Sequence, residues 1–213
     1  MTETMTQENV EALFTRQNGD YLFARWGRPI VPAVFGVDDA TLGVVKGAIK
    51  AVVALAGHRM AETDPELGVN LMVFFFRDWE ELLELPDLDR LIEGLGPLVD
   101  RLKAAGANQY RLFRFDEEGA IKAAFVFLRM DDELSRVPAE ELALGQMVQT
   151  ILLWSDTAFA GASPLVRADG DGQVILRPGI AGVIRAGYDP VMPAVAHDRA
   201  HALRLAARLG WTQ

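Results

Sequence analysis

AEELALGQMVQTILLWSDTAF, residues 139–159, is the stretch on which the fold turns. Leu144, Met147, Val148, Ile151 and Leu152 repeat at the i, i+3, i+4, i+7, i+8 spacing of one helix face, and Leu142, Leu153 and Trp154 add apolar surface elsewhere. A helix apolar over so much of its circumference is buried. It also carries two glutamines, Gln146 and Gln149, and runs into a turn at Ser155-Asp156. Pro138 stands just before it, where a first helical turn needs no backbone N–H.

Working outward, residues 109–115 and 121–128 read as strands joined by Asp116-Glu117-Glu118-Gly119, a polar, glycine-ended connection that predicts a hairpin. Residues 69–76, VNLMVFFF, form a nearly unbroken apolar run, the pattern of a central strand covered on both faces. Residues 29–35 read as another strand, which Pro32 confines to an edge or a strand start because it cannot donate to a ladder. Between them lies a helix with apolar Leu42, Val45, Ile49, Val52, Val53 and Ala56, capped by Asp38 or Asp39 and ended by Gly57. Strand, helix, strand makes a β-α-β unit. Residues 78–83 and 88–105 read as helices, and residues 161–178 as mostly loop, with a turn at Asp169-Gly170-Asp171-Gly172 and a short segment at 174–176. Helices at 178–188 and 199–209 close the chain, the second capped by Asp198. Residues 1–18 predict a short helix ended by Asn18-Gly19, so that residues 1–20 form an N-terminal helical arm. The expected fold is α+β (or α/β), a single domain over 1–213. It has a mixed sheet of about four or five strands with helices burying one of its faces.

Composition narrows the function. At 213 residues the chain is long enough for one domain with a substantial core. A net charge of −9, without a Lys/Arg stripe interleaved with aromatics, argues against nucleic acid as a partner. With no cysteine there is no thiolate nucleophile, disulfide or Cys-based metal site. The longest apolar run is far short of the roughly 20 residues of a membrane span, and the N-terminus has no basic-then-apolar secretory pattern. A soluble cytoplasmic protein without a cofactor is the expectation.

The order strand, helix, strand, hairpin, buried helix, irregular loop, closing helices is similar to that of zincin-like metallopeptidases. In those the buried helix carries H-E-x-x-H, two zinc-binding histidines and a glutamate base. More narrowly, residues 21–209 resemble an uncharacterised family of bacterial zincin-like proteins. The resemblance rests on Arg25-Trp26 before the first strand, Ser155-Asp156 after the buried helix, and Tyr188-Asp189-Pro190 before Met192-Pro193. It implies that Gly145, Gln146, Met147, Val148 and Gln149 occupy the H-E-x-x-H positions. Glycine ligates nothing and an amide does not ionise near neutral pH, so the helix keeps its packing role without peptidase chemistry. A second departure is the absence of the export signal that the family's relatives are expected to carry.

Two readings of the helix follow. In one, Gly145 permits close approach of another helix while Gln146 and Gln149 hydrogen-bond loop backbone. In the other, Gln146, Gln149 and Asp156 line a cleft that binds a small polar ligand or a partner. His197-Asp198-Arg199-Ala200-His201 offers a third possibility, two histidines at i, i+4 that hold a metal, although Asp198 as an N-cap puts His197 outside the helix. His58 follows a helix end, Asp169 to Gly172 lacks the ligand spacing of a calcium loop, and Asp131-Asp132-Glu133 reads as a solvated loop. The leading expectation is a non-catalytic zincin-like protein binding a protein partner or small ligand. The alternatives are a metal-dependent hydrolase using His197 and His201, and an oligomeric structural or regulatory module.

Overall fold

The apolar run at 69–76 becomes the inner strand of a sheet because its alternate side chains have a separate core to enter on each side. The computed structural model describes residues 5–168 and 172–209. In chain order its elements are α1 (Gln7–Ala12), β1 (Phe23–Ala24), β2 (Pro32–Phe35), α2 (Asp39–Leu55), β3 (Leu71–Phe76), α3 (Leu88–Leu91) and α4 (Leu95–Ala104). The hairpin β4 (Gln109–Phe115) and β5 (Ile121–Arg129) leads to α5 (Ala139–Ile151), followed by β6 (Leu165–Arg167), β7 (Val174–Leu176), α6 (Pro178–Gly187), β8 (Val195–Ala196) and α7 (Ala200–Leu209).

The main sheet has the order β2-β3-β5-β4, parallel across the first three strands and antiparallel at β4. Leu71 and Val73 on β3, with Val126 and Leu128 on β5, enter the larger core formed with α2 and α5. Phe74 and Phe76, with Phe125 and Phe127, enter a second core closed by Trp79, Leu82, Leu88 and Val99. Helical cover therefore lies on both faces, not on one. Each of these buried phenylalanines is worth about 1.5–3 kcal/mol of hydrophobic transfer, enough to pull residues 79–104 back across the sheet.

Several expected boundaries are met and several move. The Asp38 carboxylate accepts from Thr41 N at 2.7 Å, so Asp38 rather than Asp39 caps α2, and Gly57 with φ +63° ends it. The helix expected at 88–105 is divided by Gly94, whose φ of +73° no helix accommodates. Asn18-Gly19 does not end the first helix. It forms a tight turn that pairs Thr15 with Tyr21, and α1 stops at Ala12. In the described part of this region Val10 and Phe14 are fully buried, and the Phe14 ring stacks on Trp154 with centroids 5.3 Å apart. Residues 161–178 were expected to be mostly loop with a short segment at 174–176; that segment is β7, and β6, which was not expected, pairs antiparallel with it, while the Asp169-Gly170-Asp171 part of the expected turn lies outside the described residues. Among the described residues no helix is long and apolar enough to cross a membrane.

Gly36, directly after β2, has φ +79°, and a Cβ there would overlap the Phe75 carbonyl oxygen on β3. Gly36→Ala combines that overlap with left-handed strain and is expected to cost more than about 2 kcal/mol. Urea unfolding checks this; an unchanged midpoint would mean that β2 and β3 are not this close.

Candidate functional site

The site is built on the C-terminal end of α5, where the last carbonyls lack helical partners. Aromatic donors supply them: Trp26 Nε1 donates to Thr150 O at 3.0 Å, Trp154 Nε1 to Val148 O at 2.8 Å, and the Tyr188 hydroxyl to Ile151 O at 2.8 Å. Burial pushes the Tyr188 phenol well above its ordinary range, so it remains a donor at any working pH. The Arg25 guanidinium lies 5.2 Å over the Tyr188 ring. Held this way, the chain leaves the helix at Leu152, earlier than the apolar pattern suggests. It runs extended, with Leu153 N donating to Ala24 O at 2.9 Å. Ser155 then ties back to the N-terminal turn through its hydroxyl, which donates to Thr15 O at 2.6 Å. Arg25-Trp26, Ser155 and Tyr188, three short motifs far apart in sequence, thus meet around one helix end and serve packing.

Gln146 and Gln149, three residues apart, share a helix face, and that face meets β4. Along β4, Gln109, Arg111 and Phe113 alternate away from Tyr110 and Leu112, which pack toward the second core. Arg111 Nη1 donates to Gln146 Oε1 at 2.6 Å and Nη2 to Gln149 Oε1 at 2.7 Å. Guanidinium has only donors, so the amide oxygens must face it. Gln146 Nε2 passes the chain on to Gln109 Oε1 at 2.9 Å, and Gln149 Nε2 reaches Gly145 O at 3.3 Å. The amides therefore bond strand side chains and their own helix, not loop backbone. Among the described residues no other helix comes within 4 Å of a Cβ built on Gly145, where the nearest atom is Leu165 Cδ1 at 3.6 Å, an ordinary contact.

No carboxylate pairs with Arg111 among the described residues. Burial pushes its pKa down to about 10, which leaves it charged at neutral pH in surroundings that supply dipoles but no counter-ion. It opens on a cleft of about 440 Å³ between β4, the end of α5 and residues 153–160. Arg16 lines the same cleft, donating to Trp154 O at 2.7 Å and facing Asp156 at 3.3 Å. Asp156, expected as a ligand-binding residue, stands at the exposed rim as the partner of Arg16.

The two histidines of the 197–201 motif are not brought together. His197 is exposed ahead of α7, where the Asp198 carboxylate accepts from Ala200 N at 2.8 Å as a cap does. His201 is buried, its Nδ1 2.8 Å from the Tyr21 hydroxyl and its Nε2 without a partner. His58 donates from Nε2 to Arg28 O at 2.9 Å. Among the described residues, no group of three or more His, Asp or Glu side chains is placed to hold a metal ion. Asp131 serves the turn before α5, accepting from Leu134 N at 2.9 Å while pairing with Arg129 at 3.0 Å.

No protein-family model matches the chain, and neither a curated protein nor a solved structure matches it. Sequence reasoning found Gln146 and Gln149 but missed Arg111, Gln109 and Arg16. A faint signal existed in QYRLFRF, where alternation puts Arg111 on the same face as Phe113.

Gln146→Leu strands the Arg111 N–H that the amide accepts, while the exposed Gln109 oxygen keeps Arg111 and water as partners, and is expected to cost about 1–2 kcal/mol. In an Arg111→Leu background the same change is expected to cost at least about 1 kcal/mol less, a coupling that a double-mutant cycle by urea unfolding measures; additive costs would mean the contact carries no energy. Burial, reinforced by the charge of Arg204, pushes His201 down to about 4 from 6.5. The unfolded chain therefore takes up this proton first as pH falls, so the His201 contribution is complete above about pH 6.5 and is lost toward pH 4. Between pH 7 and pH 5 this amounts to at most about 2 kcal/mol, and His201→Phe is expected to flatten that slope in urea titrations at the two pH values.

Proposed function

We propose that this chain is a non-catalytic, zincin-like binding protein that takes a small ligand in the cleft beside Gln146 and Gln149. The observation that carries the proposal is the Arg111–glutamine cluster: a cation held open toward a cleft by two amides, with no carboxylate to neutralise it. A group that served packing alone would sit more cheaply as an apolar side chain. The non-catalytic reading is supported by the chemistry at the positions that the zincin resemblance assigns to ligands and base. Those positions carry Gly145 and two amides already committed to Arg111. The absence of cysteine suits a reducing cytoplasm, where we place the protein. A second cavity, of about 410 Å³ beside α1 and the start of α6, has more apolar walls and contains none of these polar groups.

A fragment library screened by NMR tests the proposal. Hits are expected to shift the resonances of Arg16, Gln109 to Phe113, Gln149 and residues 154–160. Ala160→Trp, a change at an exposed position on the cleft wall, is expected to abolish those shifts without unfolding the protein. Hits confined to other surfaces, or hits indifferent to Ala160→Trp, would sink the reading.

A further inference from the structure

We infer that the cleft selects a monocarboxylate carrying an apolar, preferably aromatic, body. The inference rests on the reading of the cleft as a binding site and adds the chemical class of its occupant. A guanidinium offers five N–H bonds. Arg111 Nη1 directs its two toward Gln146 Oε1 at 2.6 Å and, at longer range, Gln109 Oε1 at 3.5 Å, and Nη2 spends one on Gln149 Oε1 at 2.7 Å. The N–H on Nε and one on Nη2 are left without a partner among the described residues. They belong to adjacent nitrogens, the pair through which arginine grips a carboxylate with two parallel bonds.

Charge sets the valence of the occupant. Arg16 is matched by Asp156, whereas Arg111 has no carboxylate partner among the described residues, so the cleft holds one positive charge that they leave uncompensated. One carboxylate neutralises it. A phosphate dianion is disfavoured, because the helix end at this cleft is the C-terminus of α5, where the partial charge is negative, and because Asp156 stands on the rim. Phe113, Leu153, Trp154 and Phe159 form the apolar part of a wall that also carries Tyr110, Gln149 and Ser155, and the cleft volume of about 440 Å³ falls within the range of small-molecule sites. Trp154 and Phe159 already meet edge to face at 5.2 Å, a geometry that a third ring extends.

The test uses 3-phenylpropionate, its neutral counterpart 3-phenylpropan-1-ol and inorganic phosphate as probes, read by the Trp154 indole resonance and by thermal shift. The expected result is saturable binding of the acid at millimolar concentration, binding of the alcohol at least about tenfold weaker, and no displacement by phosphate. Arg111→Gln is expected to remove the preference for acid over alcohol. Arg111→Lys, which keeps the charge but not the paired donors, is expected to weaken acid binding several-fold. If either variant fails to fold, the acid-to-alcohol ratio on the unaltered protein decides alone. Equal binding of acid and alcohol in the cleft would overturn the carboxylate class while leaving the binding site standing, and so would displacement by phosphate. No response at Trp154 to the acid, while other fragments map to the cleft, would likewise overturn the class; if no fragment maps there, the binding site falls with it.

Discussion

Aromatic donors finish a helix that cannot finish itself. The last carbonyls of α5 lie in the core, out of reach of water, and Trp26, Trp154 and Tyr188 each turn a ring N–H or hydroxyl toward one of them. Left unpaired, each buried carbonyl would carry a desolvation cost of about 1–3 kcal/mol, a large share of the stability of a single domain. Once they are paired, the helix has a fixed end and the chain leaves it extended along residues 24 and 25. The cleft follows from that departure, since Leu153, Trp154 and Ser155 form its floor only because the helix stops at Ile151.

The polar cluster next to this end contrasts with it in one respect. Around the helix terminus the three aromatic donors each have a carbonyl acceptor, although the buried Arg25 Nε beside them has none among the described residues. Around Arg111 the acceptors are neutral, the donor is charged, and part of its hydrogen-bonding capacity faces open space. Closed networks rigidify a core, whereas the incomplete one beside this cleft is the feature on which the proposed binding site rests. The glutamines do in this chain what a counter-ion does elsewhere, but only with dipoles, so the field of the cation still extends into the cleft.

The two halves of the molecule differ in how readily the sequence discloses them. Period-two and period-3.6 patterns expose β3, β5, α2 and α5, because burial on a given face imposes a spacing that no neighbour is needed to interpret. The hairpin at Asp116 to Gly119 and the cap at Asp38 are legible for the same reason: each is satisfied by residues a few positions away. Errors fall where long-range packing overrules the local signal. The Asn18-Gly19 turn looks like a helix stop until Tyr21 is known to pair with Thr15, and residues 88–105 look like one helix until Gly94 divides them beneath the second face of the sheet.

For the site, the linear chain carries the identity of the groups but not their partnership. Gln146 and Gln149 stand out as polar residues on an apolar helix, and their spacing alone puts them on one face. That Arg111 is what they hold depends on β4 being the antiparallel edge strand beside β5, and on its register, which turns Gln109, Arg111 and Phe113 toward α5. Strand order is a non-local choice made by the packing of two cores against one sheet, and no spacing within QYRLFRF encodes it. The same holds for His197 and His201, whose i, i+4 spacing suggests a shared face until Asp198 begins the helix between them and the core closes over only the second.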